Sequence, residues 1–359
     1  MKRRIGKAFT PGSRLPALDF RLDHGHGCRM EPSVSVLMPV RNARATVAAA
    51  IESVLAQTTA EWEFVIVDDG SSDGTSAVLQ RFAREDARIV LIRQKEAGIA
   101  EALQNGCAAC RGDFIARMDA DDVMEARRLE LQRRFLIENG DCGLVSCQVR
   151  FGGTEAGYAT HVDWVNSLRT PEAMSGRRFV EAPVAHPSVM FRRELVEKLG
   201  GYRSGDFPED YELWLRWLEA GVRFGKTEEA LLTWNDPPQR LSRTDGRYSV
   251  EAFYAMKCGY LQRWLDAHAA GREVWLWGAG RITRRRFDPL TGVTGFIDVD
   301  ESKRGRHRDG REVRLADDLP ERSGSFILAG VGSRGARERI HAHLTRRGWE
   351  EGRDFLLVA

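Results

Sequence analysis

Nowhere does this 359-residue chain run apolar for the ~18 positions that a membrane-crossing helix needs. Cysteine is sparse as well. Cys28, Cys107, Cys110, Cys142, Cys147 and Cys258 show no disulfide framework, which predicts reduced thiols of the kind a cytoplasm keeps. Cys107-x-x-Cys110 has no second pair at zinc-ligand spacing. It lies in the small-residue pattern "IAEALQNGCAACRG", so two buried helix cysteines are expected there. The first thirty residues lack the roughly 7–15-residue apolar core of a signal peptide. No internal repeat of short period and no nucleic-acid-binding motif is found.

Charge is low overall but uneven. The formal net of +2 divides into +5 over residues 1–30, +4 over residues 271–359 and −7 over the segment between them. A basic tail on an acidic body excludes a nucleic-acid-binding face on the body. The tail itself has Gly and Pro breakers and no sustained period. It is expected to be a disordered arm, 1–30, with Met30 as an alternative start.

Ordered structure is expected from "SVSVLMPV", a Val-rich run bounded by turn residues. "ATVAAAIESVLAQ" then has helical spacing. "WEFVIVDDGSSDGT" is strand into turn, with Ser72 or Asp73 placed to cap the next helix. "RIVLIRQ", "GIAEALQNGCAACRG" and "DFIARMDADD" continue the alternation. The pattern predicts an α/β fold with a mostly parallel sheet covered on both faces. Gly152 to Arg178 is polar and shows no clear element. "HPSVMFRRELVEKLGGY" reads as strand then helix. "FPEDYELWLRWLEAG" is a strong helix with Pro208 in its first turn.

Open sheets of this kind bind ligands beyond the carboxyl ends of their strands. Pro39, Asp68, Asp69, Asp119 and Asp121 all fall at such ends. In Asp119-Ala120-Asp121 the first and third side chains share a face. Paired oxygen donors suit Mg²⁺ or Mn²⁺, and magnesium completes its shell with waters and substrate phosphates. Asp122 is placed to cap the helix that follows at Arg127.

"MPVRNARATVAAAIESVLAQ", "VIVDDGSSDGT", "GIAEALQNG", "ARMDADD", "HPSVMFRRE" and "PEDYELWLR" occur in that order. Together they resemble the inverting family 2 glycosyltransferases of the GT-A fold, over about Ser33 to Tyr248. The resemblance implies a soluble enzyme that moves a sugar from a nucleotide-diphosphate donor to an acceptor hydroxyl, on a glycan, a lipid-linked glycan or a protein. Surface polysaccharide or glycoconjugate synthesis is the implied setting, in the cytoplasm, with peripheral contact at the inner membrane face allowed. By the same resemblance Pro39, Arg41 and Asp69 hold the nucleotide, with Arg41 standing where many relatives carry an aromatic residue. Gly98 and Asn105 flank the donor. Asp119 contacts ribose or metal-bound water, and Asp121 binds the metal. Asp210 takes the proton of the acceptor hydroxyl, with Glu209 in reserve. His186 lies on the acceptor side or serves structurally. Trp214 stacks on a sugar or packs in the core. The later loop "TWNDPPQRLSRT" lacks the His that many relatives carry, leaving Asp236, Arg240 or Arg243 to stand in.

From Arg272 a second strand–helix pattern begins. Gly278-Ala279-Gly280, with Asp298 some twenty residues on, resembles the start of a Rossmann-type unit, although Thr283 replaces the third glycine. The expected organisation is a transferase domain over 31–248, a linking helix over 249–270 and a small Rossmann-like domain over 271–359. Two other readings share these features. A nucleotidyltransferase would want a Gly-rich loop with a basic residue after the first strand, which "MPVRNARATV" lacks. A scaffold built from a dead transferase would have no need of Asp119, Asp121 and Asp210.

Overall fold

The computed structural model describes residues 33–237, 240–305, 307–308 and 310–359. The basic arm and Cys28 therefore lie outside the described residues.

The first sheet has eight strands: β1 (Val34–Val40), β2 (Trp62–Asp69), β3 (Ile89–Gln94), β4 (Phe114–Arg117), β5 (Val123–Met124), β6 (Cys142–Phe151), β7 (Met190–Arg192) and β8 (Arg223–Trp234). Their spatial order is β3-β2-β1-β4-β7-β6-β8-β5. Strands β3, β2, β1 and β4 are parallel, and β7 reverses the direction between β4 and β6. The GT-A-type α/β fold expected from the sequence is thus present, with its parallel half at the amino-terminal end. Alternation explains the two covered faces. Val34, Val36 and Met38 pack with Ile51, Val54 and Leu79 from two helices on one side. Leu37, Val65 and Val67 pack with Leu103 and Cys107 from the helix Ile99–Ala109 on the other. Cys107 and Cys110 are buried free thiols, and burial raises both above their usual range.

The polar stretch without a sequence assignment is helical: Ala156–Ser167 and Pro171–Arg177. Thr170 accepts from the Ala173 N–H at 3.1 Å, and Pro171 opens the helix. A Thr-Pro pair is a helix-start signal in its own right.

The second sheet contains β9 (Glu273–Trp277), β10 (Val293–Asp298), β11 (His307–Arg308), β12 (Arg311–Leu315), β13 (Ser325–Ala329) and β14 (Phe355–Leu357). Its order is β11-β12-β10-β9-β13-β14, parallel except for β11. The helix Val250–His268 runs between the sheets, started by Ser249, whose hydroxyl accepts from Ala252 N–H at 3.2 Å. It does more than link. Tyr254, Cys258, Leu261 and Leu265 share one core with Tyr211 and Leu215 on the transferase side, with Phe287 of the helix Arg281–Phe287, and with Phe296, Phe326 and Leu356 of the second sheet. Within that core the buried Lys257 Nζ donates to the Val358 carbonyl at 2.8 Å.

Candidate active site

The carboxyl ends of β1, β2 and β4 open into a cleft of about 2120 Å³. That exceeds the roughly 300–1,000 Å³ of a single small-molecule pocket. Pro39, Arg41, Asp69, Gly98, Asp119, Asp121, His186, Glu209 and Asp210 all line it.

At one end Asp69, which closes β2, holds the loop before the helix Ile99–Ala109. Its Oδ1 accepts from Gln94 Nε2 and from Ala97 N–H, both at 2.8 Å, and its Oδ2 accepts from Gly98 N–H at 2.9 Å. Gly98 is required for its φ of +95°, since space for a side chain is open there. Asn105 is not in the cleft wall. It sits on the outer face of its helix and donates to Gln94 Oε1 at 2.8 Å, which places it two hydrogen bonds behind Asp69. Arg41 pairs with Glu96 at 2.6 Å. Asp73 accepts from Thr75 N–H at 2.9 Å and from Arg44 N–H at 3.1 Å, so it ties the turn before its helix to the β1 loop.

In the middle, oxygens of Asp119, Asp121 and Asp122 come within 4.8 Å of one another. Asp122 does not cap the following helix, as the sequence suggested. It is buried, and its Oδ1 accepts from the Asn235 N–H at 2.8 Å beyond the end of β8. Its other oxygen has no hydrogen-bond partner among the described residues. Burial and then mutual repulsion push Asp121 up to about 6 and Asp122 well above the usual carboxylate range. Such a trio, with an orphaned buried oxygen, fits a hard divalent cation, whose charge would reverse that penalty. Two arginines flank the trio. Arg117, almost fully buried, forms an ion pair with Asp119. Arg240 lies over the rings of Tyr158 and Trp234, at 4.7 and 4.9 Å, and pairs with Asp236 at 3.6 Å. Arg243 also holds Asp236, at 2.7 Å.

Further along, the helix Glu209–Glu219 presents its first turn to the cleft. Glu209 is buried and accepts from the Tyr248 hydroxyl at 2.6 Å. Burial and the neighbouring Asp210 raise it to about 7. Asp210 keeps 23% of its side chain open. Its Oδ1 accepts from Tyr211 N–H at 2.7 Å, and shelter in the cleft wall raises it to about 6. Asp210 Oδ2 faces His186 Nδ1 at 4.0 Å. His186 Nε2 is 2.7 Å from the Tyr202 hydroxyl. Burial, then Arg117, hold His186 well below its usual pKa, while burial raises Tyr202. A neutral ring accepting from a protonated phenol carries its own proton on Nδ1, towards Asp210. Trp214 is fully buried under the His186 ring and packs with Trp217 and Phe224. It is core and offers no face for a sugar.

The family signature described as "Glycosyl transferase family 2" matches residues 35–200. EpsE of Bacillus subtilis (strain 168), assigned as a glycosyltransferase, is 34% identical over 229 residues, which are 61% of this chain and 79% of EpsE. The chain belongs to glycosyltransferase family 2. The O-antigen biosynthesis glycosyltransferase WbnJ of Escherichia coli is 28% identical to this family 2 transferase over 63% of the chain and 86% of WbnJ. Among solved structures, S. aureus TarS 1-349 in complex with UDP-GlcNAc superposes with a TM-score of 0.50 at 15% identity, covering 66% of this chain and 72% of that chain. That likeness supports the GT-A fold.

Sequence reasoning passed over three residues of this transferase's cleft: Arg117, Glu181 and Tyr248. Arg117 stands two residues before Asp119, and a cation inside an apolar strand beside acids is a signal that could have been read. Glu181 lies in the stretch leading to His186. It is within electrostatic reach of Asp210 and, from the other side, of Lys257 and Arg337. Among the described residues no helix is long and apolar enough to cross a membrane.

Proposed function

We propose that this glycosyltransferase moves a sugar from a nucleoside-diphosphate donor to an acceptor hydroxyl in one inverting displacement that requires a divalent metal. One observation carries the reading. Asp119 and Asp121 of the three-carboxylate cluster and the partly open Asp210 line the same cleft, with buried Asp122 behind the pair and the Asp69 loop at the far end. The nucleoside belongs against Pro39, Arg41, Asp69 and Gly98, and its diphosphate beside Asp119 and Asp121. Those two residues would hold Mg²⁺ or Mn²⁺, which supplies neutralising charge for the departing diphosphate.

Asp210 accepts the proton of the acceptor hydroxyl as its oxygen bonds to the anomeric carbon. The bond from that carbon to the donor phosphate breaks, and the nucleoside diphosphate leaves. Asp210 suits the task better than Glu209, because part of the Asp210 side chain is open while Glu209 is buried and capped by the Tyr248 hydroxyl. Raised to about 6, Asp210 is a stronger base than a free carboxylate yet mostly ionised at neutral pH. His186 positions it. Arg117 neutralises part of the charge that this many acids collect. The names of WbnJ and of a second E. coli relative, a galactosyltransferase using UDP-Gal and a diphosphoundecaprenol-linked acceptor, favour envelope polysaccharide as the setting.

The test is hydrolysis of a panel of UDP- and GDP-sugars by the purified protein with Mn²⁺, beside calorimetry of the free nucleotides. Metal-dependent hydrolysis that disappears in Asp121→Ala, together with nucleotide binding, is the expected result. A scaffold would hydrolyse none of the donors, and unchanged nucleotide binding in Asp121→Ala would remove the metal assignment.

A further inference from the structure

The cleft does not end at Asp210. It continues to a wall made by the second sheet, where Arg286 stands on the helix after β9 and Arg334 and Arg337 follow β13. None of these three guanidinium groups forms an ion pair with an Asp or Glu side chain among the described residues. Arg286 lies over the Tyr254 ring at 5.1 Å. Arg337 Nε donates to a main-chain oxygen of the last residue, Ala359, at 3.0 Å, which leaves its two terminal NH2 groups for a ligand, and its guanidinium lies 5.9 Å from the Trp164 ring. Arg334 is exposed, and its side chain has no hydrogen bond or ion pair among the described residues. The arginines in the transferase half of the cleft are mostly committed: Arg41 to Glu96, Arg117 to Asp119, Arg240 to Asp236 and Arg247 to Asp245.

The placement is selective, too. Asp119, Asp121, Glu181 and Asp210 make the cleft between the donor end and the second sheet acidic, and an anionic acceptor would be repelled there without offsetting charge. Glu338 shares the wall and lies within electrostatic reach of Arg337, though none of the three arginines forms an ion pair with its carboxylate among the described residues. Glu181 sits between the two regions, in reach of Asp210 on one side and Arg337 on the other.

We propose that the carboxyl end of the second sheet is the acceptor wall, and that Arg286, Arg334 and Arg337 bind a phosphate group carried by the acceptor. This rests on the transferase reading above. Guanidinium forks match phosphate oxygens in pairs and stay charged at every working pH. A phosphate held there leaves the sugar end of the acceptor towards Asp210. The second sheet, which lies outside the matched family signature, thereby selects what is glycosylated. The incomplete glycine turn is consistent with this division. Asp298, where a dinucleotide-binding unit would offer a free acid to ribose, is already engaged by Ala279 N–H at 3.0 Å and Lys303 Nζ at 2.9 Å.

Phosphate on an acceptor has two sources, an isoprenoid diphosphate linkage or a water-soluble sugar phosphate, and the experiment separates them. The full chain, with Mn²⁺ and UDP or GDP filling the donor end, is titrated with citronellyl diphosphate, with glucose 1-phosphate and with neutral citronellyl glucoside. At least one charged probe should bind about tenfold or more tightly than the neutral one, and added salt should weaken it. Arg334→Glu, at an exposed position that leaves the melting temperature in place, should remove that preference while metal-dependent nucleotide binding stays as in wild type. Preference for citronellyl diphosphate assigns a lipid-linked acceptor, and preference for glucose 1-phosphate a soluble one. Equal affinity for charged and neutral probes overturns the inference, as does no binding of either charged probe or an Arg334→Glu chain that keeps the preference. Because the probes are read by binding, failure of the donor assignment would appear separately, as absent nucleotide binding.

Discussion

The main-chain N–H of Asn235 donates to the Asp122 carboxylate at 2.8 Å, and the Asn235 side chain donates to the Asp121 carbonyl at 2.6 Å. Two bonds from one residue therefore fix the acidic loop from the far side of the sheet. Asn235→Ala keeps the first and loses the second. It should lower the melting temperature slightly, in line with a loss of about 1 kcal/mol. It should also weaken Mn²⁺ binding several-fold, because the Asp121 backbone is freed. Calorimetry with Mn²⁺ and thermal melts check both. Wild-type metal affinity in the variant would mean the loop is held by other contacts.

Asp210→Asn keeps the shape of the side chain and the bond from Tyr211 N–H but deletes the basic oxygen. Turnover at saturating donor and acceptor should fall about a hundredfold or more, within the ~10²–10⁴-fold range for loss of a positioned base. Nucleotide affinity should not change. Glu209→Gln should cost much less, since that side chain is buried and capped by the Tyr248 hydroxyl. The reverse order of damage would transfer the base to Glu209.

The pH dependence follows from the same residue. Shelter raises Asp210 from 3.8 to about 6, so between those values the folded chain holds a proton that the unfolded chain has released. This group's contribution to stability therefore falls as pH climbs through that window. Asp210→Asn carries no such charge. It should melt above wild type at pH 7–8, with the gap closing towards pH 4. Activity runs the other way, and kcat/KM of wild type should rise with pH through about 6. A variant no more stable than wild type at pH 8 would contradict the sheltered carboxylate.

Cutting the chain after Ala270 should not yield a well-behaved transferase. The cut would bare the face of the helix Val250–His268 that packs on Phe287, Phe296, Phe326 and Leu356, and would leave Lys257 without Val358. Aggregation or a sharply lowered melting temperature is expected, checked by size-exclusion chromatography and thermal melts. A monomeric fragment with the full chain's melting temperature would show that the shared core adds little.

The parts legible in the sequence are those written in local pattern. Val34–Val40, Trp62–Asp69 and the helices between them announce themselves by period and turn residues, and the acids at their ends mark the open edge of the sheet. The helix Glu209–Glu219 is equally plain from its apolar stripe. What local pattern could not supply is who meets whom across long separations. Asp122 looks like a cap for its neighbouring helix because nothing nearby reveals Asn235. Trp214 looks available because helical phase puts it below Asp210, whereas burial depends on His186, Trp217 and Phe224 arriving from elsewhere. Asn105 lies on the right helix, but its turn faces Gln94. The helices of 152–178 escaped notice because they bury only Val162, Val165 and Met174, too few to leave a continuous apolar stripe.

The three N–H groups converging on Asp69 carry a further consequence for recognition. A loop that must be ordered by its ligand spends part of the binding free energy on lost conformational freedom. Here folding has already ordered it, through Gln94, Ala97 and Gly98. A nucleoside arriving at that end of the cleft meets a surface already set, so its association should be fast and close to rigid-body. Discrimination among bases would then come from fit to a fixed shape, with little room for the loop to adapt to a poor match.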